Sequence, residues 1–198
     1  MADITYRPLR TEDVKAISRL HLQSLQDGLL YDMGEKYTQI FYTVGLRSGN
    51  CFGFAAVNNE DQIVGAAVST KNITSLFARL LFHPVFAFGL SQRLFRLRKL
   101  YPSGGKKVPI KQEFILFFVD PRYRNLYIAL RLMQLIDEAY AAMGVNQYSL
   151  EVKENNKTAN LVYQHFGFTR MYEVGEGADK RIFYVKKPGN PAELNSSK

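Results

Sequence analysis

The sequence predicts a single α/β domain with helices on both faces of a central sheet, and three observations support this. The chain has 198 residues, 46% of them hydrophobic, with 14 Phe and 12 Tyr, which is enough apolar material for one core. Residues 114–119 form a continuous apolar run, typical of a strand buried on both faces. Apolar residues then recur at helical spacing from Ile128 to Met143, and Gly144 suits the C-cap of that helix.

The first half of the chain predicts the order β-α-α-β-β. The predicted elements are a strand at 4–7, a helix beginning at Thr11, a second helix at 29–44, and strands at 52–57 and 62–69. Thr11 is a preferred N-cap residue, and Glu12 and Asp13 place acidic side chains in the first turn. The polar segment 58–61 predicts the turn between the two strands.

The second half predicts the remaining elements. They are two helical pieces within 72–100, broken by His83-Pro84 and Gly89, a loop at 101–107, a strand at 113–119, a helix at 127–143, a strand at 147–153, a helix at 156–166 and a last strand at 181–186. Residues 1–187 are expected to form the domain, and residues 188–198 a frayed tail.

Composition excludes several classes of protein. Cys51 is the only cysteine, so no internal disulfide can form. No apolar run approaches the roughly 20 residues of a membrane span, and the N-terminus lacks a signal peptide, so a cytoplasmic location is expected. The three histidines have no metal-ligand spacing among themselves or with Cys51, and no metal is expected.

The net charge of +8 is concentrated in one segment. Residues 71–112 contain nine basic residues and no acidic one, which leaves 17 basic against 18 acidic residues elsewhere. Apolar residues interleave with these bases. Such a segment can lie on an anionic membrane, bind nucleic acid or an anionic substrate, or pack one face while its charges stay in water.

The turn after the apolar strand predicts an anion site. Pro121 ends the strand, and Arg122 and Arg124 precede the next helix. A helix N-terminus presents unpaired N–H groups and a positive dipole, so it binds phosphate groups well. A pyrophosphate is therefore a plausible ligand at this turn.

Two motifs carry a family resemblance. The first runs from Glu113 to Ala129 as EFILFFVDPRYRNLYIA, and the second runs from Leu150 to Phe168 as LEVKENNKTANLVYQHFGF. Together they resemble the GCN5-related N-acetyltransferase (GNAT) superfamily. The resemblance implies a GNAT acyl-CoA N-acyltransferase fold, with a central mixed sheet splayed between its fourth and fifth strands. It also implies acetyl-CoA, or another acyl-CoA, as co-substrate.

The resemblance implies roles for particular residues. Tyr163 matches the tyrosine near the thioester sulfur, and Glu113 has the spacing of a general base. A bulge near 117–119 is expected to turn backbone groups toward the cofactor. The implied cofactor-binding residues are Phe117, Phe118, Val119, Arg124, Asn125, Leu126, Tyr127, Ile128, Ala129 and Asn156. Tyr127 stands where the family has a glycine, so its side-chain volume is expected to weaken or reshape phosphate binding.

Each catalytic role has a simpler structural alternative. Glu113 follows Lys111 and Gln112 and is equally explained as a solvated or ion-paired residue. Tyr163 is alternatively a packing residue of an amphipathic helix, and Asn156 fits an N-cap as well as a cofactor contact. Arg122 is as consistent with a solvated base as with a phosphate contact.

The predicted function is acetyl transfer from acetyl-CoA to a primary amine of a small molecule, amino sugar or similar acceptor. The 71–112 segment is expected to select this acceptor. An acceptor that contacts the bases of this segment would be anionic. A catalytically silent acyl-CoA-binding module is one alternative. Nucleic-acid or membrane-surface binding through the basic segment is another. No nucleic-acid partner is expected, because no nucleic-acid motif is present. Peripheral membrane contact and a homodimer are left open.

Overall fold

A computed structural model describes residues 3–92, 110–177 and 180–189 of the chain. In this part of the chain, seven strands form one open sheet in the order β1-β2-β3-β4-β5-β7-β6. All neighbouring strands are antiparallel except β4 and β5, which are parallel. The predicted mixed sheet is therefore confirmed.

The strands are β1 (Thr5–Pro8), β2 (Cys51–Val57), β3 (Ile63–Thr70), β4 (Glu113–Val119), β5 (Tyr148–Lys153), β6 (Thr169–Val174) and β7 (Arg181–Lys186). The α-helices are α1 (Val14–Ser24), α2 (Leu29–Met33), α3 (Glu35–Arg47), α4 (Ile73–Phe82), α5 (Pro84–Ser91), α6 (Leu126–Ala142) and α7 (Lys157–His165). Short 3₁₀ turns at Thr11–Asp13 and Pro121–Tyr123 precede α1 and α6.

Two apolar cores lie on opposite faces of the sheet. On one face, Leu132 and Ile136 of α6 pack with Ala67 and Tyr163 in a cluster that also contains residues of β5 and β7. On the other face, α1, α3, α4 and α5 pack over Ala66, Val68 and Phe118. Successive residues of β3 belong to opposite clusters, because side chains alternate across a strand. The expected helices on both faces are confirmed.

The sheet opens between β4 and β5. Glu113 and Ser149 are the one register pair between these strands, and Ser149 N donates to Gln112 O at 3.0 Å beside it. Beyond this point the strands separate, and no strand of the described residues pairs with the edge of β4 that faces β5. The predicted splay between the fourth and fifth strands is confirmed, and it creates the cleft described below.

The predicted bulge is displaced along β4. The pairing with β3 passes from Val68–Leu116 to Ser69–Phe114, so Ile115 is the extra residue. The prediction of a bulge near 117–119 was wrong by two or more residues. An extra residue shifts the side-chain alternation, so that Phe114 and Phe117 join one core while Ile115, Leu116 and Phe118 join the other.

Three other predictions required correction. The helix predicted over 29–44 is two helices, because Gly34 at φ +86° interrupts it. Thr11 is not an N-cap: the amide of Arg10 bonds to Asp13 Oδ2 at 2.8 Å, and Thr11 begins a 3₁₀ turn. Gly89 lies within α5 rather than breaking it, where its missing Cβ leaves space for the ring of Tyr37.

Strand β6 was missed. Four of its six residues are exposed, and it lies at the edge of the sheet beside β7. Such a strand has no buried run to reveal it, so neither continuous hydrophobicity nor a clean alternation marks it in the sequence.

Part of the basic segment is resolved as α4 and α5, which meet at His83 with a bend of 95°. Within the described ranges, no single helix is long and apolar enough to cross a membrane, whereas this bent pair satisfies the length and composition criteria together. The bases Arg93, Arg96, Arg98, Lys99, Lys106 and Lys107, the predicted loop at 101–107 and the tail from 190 onward lie outside the described residues.

Candidate active site

A cleft of about 990 Å³ lies where β4 and β5 separate. One wall is the bulged part of β4, Ile115 to Val119, and the other is formed by β5 and α7. The segment from His21 to Leu30 and the first turn of α6 complete it. Because no other strand of the described part of the chain pairs with β4 on this side, its peptide groups are available to a ligand that enters the cleft.

The N-terminus of α6 forms one end of the cleft. Asn125 caps the helix, with Oδ1 accepting from the amide of Tyr127 at 2.8 Å, and the amide of Ala129 bonds to Asn125 O at 3.2 Å. The hydrogen bonds of the described turn leave the amides of Leu126 and Ile128 available. Arg124 lines the cleft beside them. Two amide donors, a positive helix end and a guanidinium together fit an anionic group.

Tyr127 and Ile128 lie away from the cleft surface. Tyr127 is 68% exposed, and after burial it contributes to raising the pKa of Tyr6 on β1. Ile128 is buried in the core. The side chain of Tyr127 does not belong to the described cleft lining, and its expected effect on phosphate binding stays a prediction.

Arg122 is engaged by a neighbouring acid. Its guanidinium pairs with Asp120 at 2.8 Å, and its amide also donates to Asp120 at 2.9 Å. The hydrogen bond from Arg122 holds the pKa of Asp120 below its usual value. Of the two arginines in the turn, Arg124 is the one that lines the cleft.

Tyr163 lies in the opposite wall. Its ring packs edge-on against Phe114 and Phe168, with centroids 6.5 and 5.7 Å away, while the side chain still contributes to the cleft surface. Burial raises the pKa of Tyr163, so the phenol keeps its proton at neutral pH and acts as a hydrogen-bond donor.

A polar network fixes the helix that carries Tyr163. Asn156 Oδ1 accepts from the amide of Ala159 at 3.2 Å, so the N-cap role is confirmed, and Asn156 also lines the cleft. Asn160 Nδ2 donates to the carbonyls of Lys153 and Asn156, at 2.9 and 2.8 Å. Tyr184 donates to Asn160 Oδ1 at 2.8 Å. These bonds tie α7 to β5 and β7.

Two carboxylates lie near the opening of the sheet. Glu113 lies at the point where β4 and β5 still pair, in register with Thr70 of β3 and Ser149 of β5. Burial and, to a smaller extent, Glu113 raise the pKa of Tyr140. The cleft surface, as far as the structure describes it, includes Glu151 of β5 but not Glu113. Sequence reasoning missed Glu151, although its alternation with Leu150 and Val152 would have assigned it to the opposite face.

His21 is a second cleft residue that the sequence did not reveal. Its ring stacks on Phe118 with centroids 5.4 Å apart, and its Nδ1 shares a hydrogen bond of 2.8 Å with the hydroxyl of Tyr42. Burial lowers the pKa of His21 to about 4, so the imidazole is neutral at physiological pH.

An ion pair joins the two sides of the cleft. Asp27, in the connection between α1 and α2, lies 2.7 Å from Lys153 of β5, and both side chains line the cleft. The described residues contain no cluster of three or more His, Cys, Asp or Glu side chains that would hold a metal ion.

Comparisons with known proteins agree with this geometry. A model of the Acetyltransferase (GNAT) family matches residues 15–168. A search of curated protein sequences finds no significant match.

Similar solved structures cover nearly the whole chain at low sequence identity. An N-acetyltransferase from Staphylococcus aureus is 14% identical with a TM-score of 0.64, covering 95% of this chain and 100% of that one. The ribosomal-protein-S18-alanine N-acetyltransferase from Escherichia coli is 15% identical with a TM-score of 0.61, covering 95% and 96%. The PaiA N-acetyltransferase from Thermoplasma acidophilum, in complex with coenzyme A, is 14% identical with a TM-score of 0.60, covering 93% and 99%. These likenesses confirm the fold.

Proposed function

The chain belongs to the Acetyltransferase (GNAT) family, and from this premise we propose that it transfers an acetyl group from acetyl-CoA to a primary amine of a small molecule bound in the β4–β5 cleft. The observation that carries this proposal is the cleft itself. It places the amide-rich end of α6, the open edge of β4 and the phenol of Tyr163 around one space.

The α6 turn fits the pyrophosphate of the coenzyme. The amide of Leu126 and the guanidinium of Arg124, both in the cleft lining, supply donors, and the helix dipole favours negative charge. The open edge of β4, from Phe117 to Val119, offers peptide groups to an extended chain with amide groups, such as the pantetheine arm. Asn156, across the cleft, supplies a further polar side chain.

Proton transfer is assigned to residues of the cleft walls. Acetyl-CoA supplies the thioester, whose thiolate leaves when the amine takes the acetyl group. Tyr163, protonated at neutral pH, donates a hydrogen bond to the departing sulfur. A carboxylate accepts the proton of the amine, either Glu151 in the cleft wall or Glu113 at its apex through water. The position of Glu151 on the cleft surface favours it over Glu113.

A small acceptor is favoured by the Asp27–Lys153 ion pair. It connects the α1–α2 segment to β5, which restricts the passage of a long peptide through the cleft. Apolar side chains of Phe41, Phe77 and Phe86 line the space on the α1 side. The name of the ribosomal-protein-S18-alanine N-acetyltransferase from Escherichia coli indicates that a protein of this fold can act on a protein acceptor. Peptides are therefore the control substrates.

The test of coenzyme binding is a substitution at the first residue of α6. Proline is favoured at this position of a helix, and Asn125 already has the extended backbone, at φ −141° and ψ 136°, that a residue before proline requires. Leu126→Pro therefore removes one amide donor without breaking the helix. We expect the affinity for acetyl-CoA, measured by calorimetry, to fall about tenfold.

Leu126→Ala is the matched control, because it shortens the same side chain and keeps the amide. Its affinity should equal that of the original chain. If a folded Leu126→Pro variant bound acetyl-CoA with unchanged affinity, the phosphate site would not be at this turn. Absence of any heat with acetyl-CoA in the original chain would overturn the proposed function.

A further inference from the structure

The helix pair α4–α5 presents an unusual outer surface. Leu76 and Leu80 face the core, whereas the adjacent side of α4 carries Phe77 and Leu81, 43% and 54% exposed. Phe82, at the bend, is 88% exposed, and Phe88 of α5 is 63% exposed. We call these four exposed side chains the elbow: Phe77, Leu81, Phe82 and Phe88. The outer face of a surface helix is ordinarily polar, so this surface calls for an apolar partner.

Basic side chains flank the elbow at Phe82. A groove of about 820 Å³ beside Phe82 is lined by Lys36 and Arg47 of α3 and Arg79 of α4. No acidic side chain belongs to the described lining of this groove, and residues 71–112 contain no acidic residue at all. The surface therefore combines apolar side chains that can leave water with cations that attract negative charge.

From this combination we propose that the elbow docks on an anionic lipid bilayer. Phe82 and Phe88 would enter the boundary between headgroups and acyl chains, while Lys36, Arg47 and Arg79 contact lipid phosphates. By length and composition together, the bent pair α4–α5 is apolar enough to enter a membrane. A 95° bend with Phe82 at its tip suits shallow insertion in the interface rather than a crossing.

Two other occupants fit the surface less well. A second copy of the chain would bring the same cations against each other, which opposes association. A nucleic acid would satisfy the cations and stack on an aromatic ring, but it gives no favourable environment to Leu81 or to the whole exposed area of Phe82. Of the three, an anionic bilayer matches both the apolar and the basic parts.

The elbow also adjoins the cleft. Phe77 belongs to the elbow and to the cleft wall, and Phe86 of α5 lines the same wall. Docking through the elbow would hold the cleft next to the lipid surface. An amine carried by a lipid, or concentrated at the bilayer, would then reach the cleft directly.

Cosedimentation of the full chain with vesicles tests this proposal. One set contains phosphatidylcholine alone, and the other contains about one quarter phosphatidylglycerol. We expect binding to the anionic vesicles only, weakened by salt because screening reduces attraction between exposed charges. Phe82→Ser combined with Phe88→Ser should lower the partition coefficient about tenfold or more. Each of Lys36→Gln, Arg47→Gln and Arg79→Gln should lower it about fivefold.

Met171→Ser is the matched control, because Met171 is 50% exposed on β6, outside the elbow. It should leave vesicle binding unchanged. Circular dichroism and calorimetry with acetyl-CoA establish that each variant is folded.

Several results would overturn the proposal. Two of them concern vesicles: binding that survives in the double Phe variant, and equal binding to neutral vesicles. A third is tighter binding to a single-stranded RNA oligonucleotide, lost in the Gln variants. The fourth is a dimer, detected by light scattering, that the Phe substitutions dissociate. Failure of vesicle binding with intact acetyl-CoA binding would leave the proposed function standing.

Discussion

The phenol of Tyr163 keeps its proton because the surrounding rings exclude water. Phe114, Phe168 and Tyr184 all lie with ring centroids within 6.5 Å of it. A raised pKa makes the phenol a weaker acid but secures its protonated form, so we infer that it stabilises the leaving thiolate mainly by hydrogen bonding rather than by complete proton transfer.

Tyr163→Phe tests the role of the phenol, because the substitution removes only the hydroxyl oxygen. The ring packing is kept and the donor is lost, so kcat should fall about 10²-fold or more while the Kd of acetyl-CoA is nearly unchanged. Steady-state kinetics and calorimetry on the same preparation separate the two effects. Undiminished kcat would assign Tyr163 to packing alone.

The two carboxylates are distinguished by their pH profiles. If Glu151 is the base, Glu151→Gln removes the internal proton acceptor, so the rise of kcat/KM should move to higher pH, toward the ordinary pKa of the amine. Glu113→Gln should leave the profile in place. The opposite pattern would transfer the role to Glu113, the residue that the sequence motif indicates.

At the scale of elements, a buried ion pair holds the end of β7 against α6. Lys186 Nζ lies 2.8 Å from Asp137 Oδ1, and Tyr148 donates to the same oxygen at 2.8 Å. The amide of Gly189 bonds to Asp137 Oδ2 at 2.8 Å. Asp137 is 1% exposed, so one carboxylate satisfies three donors in the core.

Asp137→Ala leaves the ammonium of Lys186 without its partner in a largely buried place. We expect the free energy of unfolding to fall by about 3 kcal/mol, measured by urea denaturation. The neighbouring pair Glu138–Arg131, 3.0 Å apart, is much more exposed. Glu138→Ala is therefore the matched control, and its loss should stay below about 1 kcal/mol. If both variants lost the same free energy of unfolding, burial would not determine how much each ion pair contributes to stability.

The sequence predicted best those elements whose signals are local. β4 and α6 were located within one residue at each end because a continuous apolar run and a helical period mark them. The division at Gly34 and the edge strand β6 were missed, since a positive φ and pairing with a strand later in the chain leave weak local traces.

The same limit applies to the candidate site. Arg124, Asn125 and Tyr163 were found through motif spacing, and each lines the cleft. His21 and Glu151 come from distant parts of the chain, and only the fold brings them to the same cleft. Nothing in their local sequence distinguishes them from an ordinary helix histidine and an ordinary strand carboxylate.

At the scale of the whole molecule, stability should depend on pH through His21. The Tyr42 phenol, which shares a hydrogen bond with the ring, has its pKa raised by burial and is neutral, and Glu151 lines the same cleft. The folded pKa, about 4, lies below the unfolded value of 6.5. Below pH 6.5 the unfolded state therefore takes up a proton first, and stability falls until about pH 4.

We expect the contribution of His21 to decrease by about 2 kcal/mol between pH 7 and pH 5. His21→Gln keeps a hydrogen-bonding group beside Tyr42 but cannot titrate, so its stability should depend less on pH over this interval. Urea denaturation of both chains at the two pH values measures the difference. Parallel curves would mean that His21 is not the titrating group.

The gap in the sheet also bears on the lifetime of the protein in a cell. Because β4 and β5 share one register pair, a ligand that spans the cleft replaces part of a missing strand interface. A ligand at about 100 times its Kd adds about 2.7 kcal/mol to the stability of the chain that binds it. Resistance to proteolysis, and with it the steady-state abundance of the protein, would then follow the supply of the coenzyme.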